Sequence, residues 1–172
     1  MEPYNFTKSN RWPYLSPLRY PGGKAILYPL LKDLAALNLG ESRVYAEPYA
    51  GGSGAALELL FNGVVERVLL NDADRHIYAF WRVVLNDTDW LVERIDRVRV
   101  TMTEWRRQRT IYQEHRAHTL KDVAFSTFFL NRCNRGGILP KAGPIGGFEQ
   151  KGNFLIDARF HKEHLIERIQ EI

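Results

Sequence analysis

Apolar residues recur at helical spacing in three segments of the first half of the chain. The first segment follows Gly22 and Gly23, with Ile26, Leu27, Leu30, Leu31, Leu34 and Leu37 in phase. The run AALELLFNG predicts a second helix that ends at Gly63. A third helix is predicted from the apolar stripe Ile77, Phe80, Trp81, Val84 and Leu85.

Two short apolar runs between these segments predict strands, RVYAE over residues 43–47 and VERVLLN over 65–71. The order helix, strand, helix, strand, helix favours an α/β fold with a parallel sheet covered by helices. Residues 1–17 are polar, aromatic and proline-containing, which predicts an amino-terminal arm.

The second half of the chain contains arginine-rich, aromatic and glycine-rich segments that the first half does not combine in this way. Two polar, arginine-rich helical segments are predicted between residues 89 and 118, followed by an aromatic helix over Val123 to Cys133. Residues 134–154 are rich in glycine and predict a long structured loop or a hairpin. The sequence finishes on HLIERIQEI, still in helical phase, and two parallel strands cannot bury both sheet edges. We therefore expect either that the chain is cut here or that another chain supplies the missing strands.

Composition and charge narrow the class of protein. The 172 residues contain one cysteine, Cys133, which rules out an internal disulfide and favours a reducing compartment. No signal peptide or apolar stretch of membrane-spanning length is present, so a soluble cytoplasmic protein is expected, with no metal. The net charge is +4. Seven arginines between residues 94 and 116 suit a phosphate backbone, or alternatively form a solvated helix face with Glu104 and Glu114.

The stretch AEPYAGGSGAALELL, residues 46–60, places three glycines between a predicted strand and a predicted helix. Such a turn lies at the carboxyl end of a parallel strand and lets a ligand reach backbone amides. The next strand ends at Asp72, whose carboxylate suits the cis hydroxyls of a ribose. The turn reads G-G-S-G and not G-x-G-x-x-G, so a structural tight turn is the alternative.

LRYPGGK, residues 18–24, ends in Gly-Lys but lacks the leading strand, the first glycine and the Ser or Thr of a phosphate loop. Lys24 opens a predicted helix, where its charge opposes the helix dipole. It is therefore interpreted either as a partner for a ligand carboxylate or phosphate, or as a plain surface lysine.

Four segments in the same order resemble the Dam-like class of DNA adenine methyltransferases over about residues 17–172. They are LRYPGGK, YAEPYAGGSGAALELL, LLNDADRHIYAFW and FFLNRCNRGGILPKAGPIGG followed by FLIDARFHKEHLIERI. The resemblance implies an S-adenosylmethionine-dependent methyltransferase fold, a Rossmann-like parallel sheet that is incomplete here, with a helical and glycine-rich-loop insertion that recognises DNA. It divides the chain into an arm (1–17), a cofactor-binding part (18–88), a DNA-recognition region (89–155) and a return to the core (156–172).

The resemblance also implies roles for individual residues. The cofactor S-adenosylmethionine is expected at Tyr20, Pro21, Gly22, Gly23, Lys24, Glu47, Pro48, Tyr49, Gly51, Gly54 and Asp72. Asp72 would hold the ribose, and Glu47 would contact the ammonium group or, alternatively, cap the amides of the turn. Ser53 departs from a position that is often glycine or alanine in this family.

Double-stranded DNA is the implied partner. Its expected contacts are Asn131, Arg132, Arg135 and Lys141, with Gln150 in the same loop. Arg and Lys favour guanine in the major groove, whereas Gln and Asn favour adenine. For Asn131 and Arg132 a hydrogen-bonded brace under the loop is the alternative.

The family's catalytic Asp-Pro-Pro-Tyr motif does not occur in these residues, so no catalytic residue is assigned. Three interpretations follow. The chain is the amino-terminal portion of an adenine methyltransferase, or half of a split enzyme whose second chain supplies the catalytic part, or a non-catalytic module that binds nucleic acid or the cofactor.

Overall fold

A computed structural model describes residues 15–38, 40, 43–139 and 141–172. Most of the predicted amino-terminal arm, residues 1–14, lies outside the described residues. The chain divides into two compact units. Among the described residues, the first unit contains 15–16 and those of Gly22–Asn71, and the second contains Pro17–Pro21 and those of Asp72–Ile172. We call them the strand unit and the helical unit.

The strand unit alternates helices and strands as the sequence predicts. A 3-10 helix over Lys24–Leu27 leads into the first α-helix, and the elements that follow are α1 (Tyr28–Asn38), β1 (Val44–Glu47), α2 (Gly54–Phe61) and β2 (Arg67–Leu70). The two strands are parallel, with Val44 opposite Arg67 and Glu47 opposite Leu70. The predicted α/β class is confirmed, and the parallel pairing places both carboxyl ends at one edge.

Apolar periodicity predicts the helices of this unit better than it predicts their burial. α2 buries one face completely, through Ala55, Ala56, Leu57 and Leu59. α1 instead leaves Leu30, Leu34 and Leu37 exposed, and Ile26 of the preceding 3-10 helix is exposed too. Periodicity fixes the phase of a helix, but only packing against another element buries the apolar face.

Among the described residues, the helical unit contains five α-helices, of which α6 is buried. Their bounds are α3 (Arg75–Asn86), α4 (Thr88–Arg97), α5 (Met102–Gln113), α6 (Leu120–Cys133) and α7 (Lys162–Glu171). The two predicted arginine-rich segments are α4 and α5. Every residue of α6 from Val123 to Cys133 is buried, and the Phe128 ring stacks parallel to Phe80 at 5.9 Å. Leu85 belongs to α3 as the predicted apolar stripe requires, but it is 54% exposed, unlike the other four residues of the stripe.

The glycine-rich segment after α6 is a loop rather than a two-stranded hairpin. Asn134 and Pro144 form an isolated antiparallel bridge, and turns follow through Gln150. Ile145 N donates to Cys133 O at 2.8 Å, which fastens the loop to the end of α6. Within the described residues, no helix is long and apolar enough to cross a membrane.

Candidate functional site

The glycine turn connects the carboxyl end of β1 to the start of α2 and is fastened to the end of β2. Ala50 N donates to Asn71 O at 2.9 Å, and Asn71 N donates to Glu47 O at 3.1 Å. Gly51 has a φ of +50°. Ser53, the departure noted in the sequence, also lies in the left-handed region, with a φ of +50°. The turn is therefore compact and held by the sheet.

Close packing against the 3-10 helix explains why the third glycine of the turn, Gly54, has no side chain. A Cβ at Gly54 would lie 3.0 Å from the Ala25 Cβ, so the 3-10 helix approaches α2 too closely for a side chain. This contact explains Gly54 without a ligand, and its cofactor role stays a prediction.

Ser53 is a buried polar residue at the start of α2. Its hydroxyl is buried and has no hydrogen-bond partner in the part of the chain that the structure describes. The side chain of Ser53 also does not cap the helix. A helix start without a side-chain cap presents amide donors to a polar ligand. The turn thus offers both a hydroxyl and amides to such a ligand.

Glu47 is a buried carboxylate beside this turn, 3% exposed. Lys24 reaches it from the 3-10 helix, with Nζ 3.0 Å from Oε1, and also donates to Tyr49 O at 2.6 Å. Lys24 and Glu47 lie in two segments that were interpreted separately from the sequence, and the structure joins them in one ion pair. Pro48 and Tyr49 of the same turn are exposed, Tyr49 by 73%.

Asp72 follows Asn71 in the chain and belongs to the helical unit. Its Oδ1 accepts a hydrogen bond from Asp74 N at 2.9 Å, which shapes the turn into α3. Asp74 caps α3 by accepting from His76 N, and its Oδ1 also lies 2.9 Å from His76 Nδ1. His76 stacks on Tyr112 with the ring centroids 3.8 Å apart. Sequence reasoning missed this cluster, although an Asp two residues before a His at a helix start was a usable signal.

The cluster of Asp74, His76 and Tyr112 makes the stability of the folded protein depend on pH. The hydrogen bond from the His76 imidazole holds the pKa of Asp74 below its ordinary value of 3.8. A lowered folded-state pKa contributes stability above the unfolded pKa, and that contribution is lost as the pH falls through the folded pKa. Asp74→Asn keeps a capping oxygen but removes the charge. We expect the wild type to be the more stable at neutral pH, with the difference shrinking below about pH 4.

Urea unfolding at neutral pH and at several acidic values measures this difference. Asp89→Asn, in the first turn of α4, is the control for a general charge effect. A stability gap between wild type and Asp74→Asn that stayed constant down to pH 2 would contradict the assignment.

Asn131 and Arg132 lie inside the helical unit. Asn131 is fully buried, accepts from Arg19 N at 2.7 Å, and donates to Arg19 O at 2.8 Å and to Gly137 O at 2.9 Å. Arg132 donates to Arg159 O at 2.8 Å and to Pro17 O at 3.4 Å. Burial and the nearby charge of Arg19 lower the pKa of Arg132 to about 10. These contacts are those of the bracing alternative, and DNA contacts by the two residues stay a prediction.

The loop residues divide by exposure. Arg135 and Lys141 are exposed and have no acidic partner within the described residues. Gln150 is turned inward, where Nε2 donates to Ile145 O at 2.8 Å and Oε1 accepts from Ile156 N at 2.9 Å. Arg135 and Lys141 therefore face solvent, and their contact with DNA stays a prediction, whereas the amide of Gln150 holds the loop.

The seven arginines between residues 94 and 116 were interpreted either as a phosphate-binding surface or as a solvated helix face with glutamate partners. Some of them form ion pairs within the protein and others do not. Arg94 and Arg107 both pair with Glu104, at 3.3 Å and 3.6 Å, and Arg97 pairs with Glu93 at 2.7 Å. Arg109 lies over the Trp105 ring. Among residues 15–38, 40, 43–139 and 141–172, those of the cluster without an ion pair or ring contact are Arg99, Arg106 and Arg116.

Comparison with known protein families shows which family the chain belongs to. Residues 20–170 match the family of D12 class N6 adenine-specific DNA methyltransferases, which is nearly the whole chain. The chain belongs to this family. The predicted resemblance to Dam-like adenine methyltransferases is thus confirmed. No curated protein matches the sequence.

For this D12-class chain, the family makes DNA the expected substrate and adenine N6 the expected acceptor. The buried Glu47 carboxylate, the Ser53 hydroxyl and the uncapped start of α2 fit the polar end of S-adenosylmethionine. Within the described part of the chain, no group of three or more His, Cys, Asp or Glu residues is arranged to hold a metal ion.

Proposed function

We propose that this D12-class chain binds S-adenosylmethionine through its strand unit and double-stranded DNA through its helical unit. The function of this binding is methyl transfer to adenine N6. The observation that carries the cofactor part is the buried carboxylate of Glu47 next to the glycine turn, at the carboxyl end of β1. Glu47 is 3% exposed and already receives one cation, the Lys24 ammonium, at 3.0 Å; the ammonium group of the cofactor is a cation of the same kind.

Each residue of the proposed cofactor site then has a separate task. Glu47 holds the ammonium group, and the turn at Gly51 presents backbone amides. The role of Asp72 at the ribose hydroxyls stays a prediction from the sequence. The position of Lys24 supports the first task, because its ammonium nitrogen already lies 3.0 Å from Glu47. When bound, the cofactor supplies an electrophilic methyl group. The chain's own residues bind and orient it.

DNA binding is proposed for the exposed cations that no acidic side chain neutralises. In the arginine cluster and the glycine-rich loop, the described residues of this kind that also lack a ring contact are Arg99, Arg106, Arg116, Arg135 and Lys141. Contacts of this kind position a duplex through its phosphates and carry little sequence information.

The affinity for DNA should fall steeply with salt. Five phosphate contacts give a slope of about −4.5 in log Kobs against log salt, or roughly 500-fold between 50 and 200 mM. Fluorescence anisotropy with a labelled duplex measures the slope. Arg106→Ala should reduce its magnitude by about one. Arg97→Ala is the matched control, because Arg97 is paired with Glu93 and should leave the slope unchanged. A flat salt response would assign these cations to other roles.

A second candidate is favoured by one observation, the lack of Asp-Pro-Pro-Tyr in the 172 residues. The chain would then be a non-catalytic subunit that binds nucleic acid or the cofactor, or one half of a split methyltransferase completed by a second chain. A cytoplasmic location belongs to either proposal.

Transfer of a labelled methyl group from S-adenosylmethionine to duplex DNA tests the two candidates. Incorporation by this chain alone supports the complete activity and contradicts the non-catalytic candidate. Binding of cofactor and DNA without incorporation fits the lack of Asp-Pro-Pro-Tyr in these residues, and methyl transfer restored by a second chain would identify a split enzyme. Absence of binding to both ligands contradicts both candidates.

A further inference from the structure

The His76 side chain lies between the start of α3 and the end of α5. It is 12% exposed, and its ring stacks on the Tyr112 ring with the centroids 3.8 Å apart. Both ring nitrogens contact oxygen atoms. Nδ1 lies 2.9 Å from Oδ1 of Asp74, the capping residue of α3, and Nε2 lies 3.0 Å from Tyr112 O. One ring therefore makes one polar contact with each of the two helices.

The two oxygen atoms decide which protonation state of the ring satisfies both contacts. A backbone carbonyl can only accept a hydrogen bond, so Nε2 has to donate to Tyr112 O. The Asp74 carboxylate also accepts from His76 N, and its lowered pKa keeps it ionised at neutral pH. An ionised carboxylate likewise only accepts, so Nδ1 has to donate as well. Both contacts are hydrogen bonds only when the ring is the doubly protonated imidazolium.

The contact with Tyr112 O supports the end of α5. Tyr112 lies in the last turn of α5, where helix carbonyls have no partner further along the helix. A cation is favourable at this position, because the carbonyl end of the helix dipole is negative. The start of α3 disfavours a cation, and the Asp74 carboxylate beside the ring offsets this effect.

The other titratable groups around His76 lie at the end of α5 and just after it. Burial, with smaller contributions from Asp74 and Tyr20, raises the pKa of Tyr112 to about 12. The Tyr112 ring therefore stays neutral over the range in which imidazoles titrate. His115, on the 3-10 helix His115–Ala117, meets the His76 ring edge-on with the centroids 4.6 Å apart. His115 is thus the neighbour whose own charge has to be controlled in a test.

We propose that His76 is a proton-dependent link, which ties the start of α3 to the end of α5 only while its ring is an imidazolium. Loss of one proton leaves a lone pair facing one of the two oxygen atoms. The hydrogen bond to the ionised Asp74 is charge-assisted and the stronger of the two, so the neutral ring keeps its proton on Nδ1. The hydrogen bond to Tyr112 O is then lost, and the last turn of α5 is released. The link does not depend on the proposed function.

Nuclear magnetic resonance of the whole 172-residue chain tests the link. Ring nitrogen chemical shifts recorded across the imidazole titration should show His76 losing its proton from Nε2 and keeping the one on Nδ1. Over the same titration, the hydrogen-exchange protection factor of Glu114 N should fall about 3- to 10-fold, the effect of one net hydrogen bond. Glu114 N donates to Thr110 O in the last turn of α5. Val98 N, which donates to Arg94 O at the end of α4, is the internal control and should keep its protection.

Three substitutions separate the charge of the ring from its shape. His76→Gln can donate to Tyr112 O but cannot gain a charge, so Glu114 N should be equally protected at both ends of the titration. His76→Asn reaches only toward Asp74 and should give low protection at both ends. His115→Gln should retain the wild-type response, because the link needs only the His76 ring.

Two results in the wild type would overturn the link. One is a constant protection of Glu114 N while His76 changes its protonation, and the other is proton loss from Nδ1. A response that His115→Gln abolishes and His76→Gln retains would assign the effect to His115 and overturn the link as well. The wild-type measurements decide the question even if a variant fails to fold. Failure of the chain to bind S-adenosylmethionine or DNA would contradict the proposed function and leave the link standing.

Discussion

Glu47→Gln should weaken the binding of S-adenosylmethionine by about 10- to 100-fold, the largest functional effect expected of any substitution in this chain. The change removes the negative charge but preserves shape. A hydrogen bond to a charged group contributes about 1.5–3 kcal/mol, which converts to this range of affinity. Isothermal titration calorimetry measures it. The companion ligand is 5′-methylthioadenosine, which lacks the ammonium group and should bind wild type and Glu47→Gln equally.

Lys24→Met separates this proposal from a purely structural ion pair. In the absence of cofactor, the substitution removes the Lys24 charge from its ion pair with the buried Glu47 carboxylate, so the thermal midpoint should fall. The added stabilisation by S-adenosylmethionine should then be larger than in the wild type, because the cofactor's ammonium restores the missing charge. A smaller stabilisation would contradict this exchange and would indicate that Lys24 binds the cofactor together with Glu47. Unchanged stabilisation would place the pair outside the cofactor site.

Gly137→Ala should reduce the free energy of unfolding by about 3 kcal/mol or more. Gly137 has a φ of +72°, and a Cβ would lie 2.5 Å from Arg19 O and 2.8 Å from the Arg19 Cβ. The left-handed conformation alone costs a side chain about 1–3 kcal/mol, and the overlap with backbone adds to it. The substitution also displaces the Arg19 backbone, whose amide and carbonyl are both bound by Asn131.

Gly136→Ala is the matched control for this prediction. Gly136 has a similar φ of +63°, but a Cβ there would meet only the flexible end of Ile138, at 3.6 Å. We expect it to cost about 1–2 kcal/mol from the backbone conformation alone. Urea unfolding of both variants measures the difference. Equal destabilisation would show that the contact with Arg19 contributes nothing.

The two braced residues illustrate what sequence reasoning misses. Asn131 and Arg132 lie in a motif that suggested DNA contact, yet Asn131 is fully buried and binds Arg19, 112 residues away along the chain. A polar side chain next to a glycine-rich loop has the same sequence appearance whether it faces DNA or supports the loop. The distinction depends on where the segment around Pro17 and Arg19 runs, which no local pattern contains.

The arginines of α4 and α5 show the same limit for charge. Glu93 and Arg97 are four residues apart on one helix, so the sequence alone suggests their pair. Arg94 and Glu104 lie on different helices and meet only because α4 and α5 pack on the same core. Counting charges therefore overstated the number of cations available to phosphates.

The sequence by itself determined the order of helices and strands, the glycine turn after β1 and the family, because helical and strand periodicity and turn chemistry are local properties. The tertiary structure alone decided which polar groups are already paired within the protein: the Lys24 ammonium with Glu47, the Asn131 amide with the backbone of Arg19, and Arg94 with Glu104. Such pairings depend on distances across the fold. The free energy of a buried charge is set by what surrounds it in space, not by its neighbours along the chain.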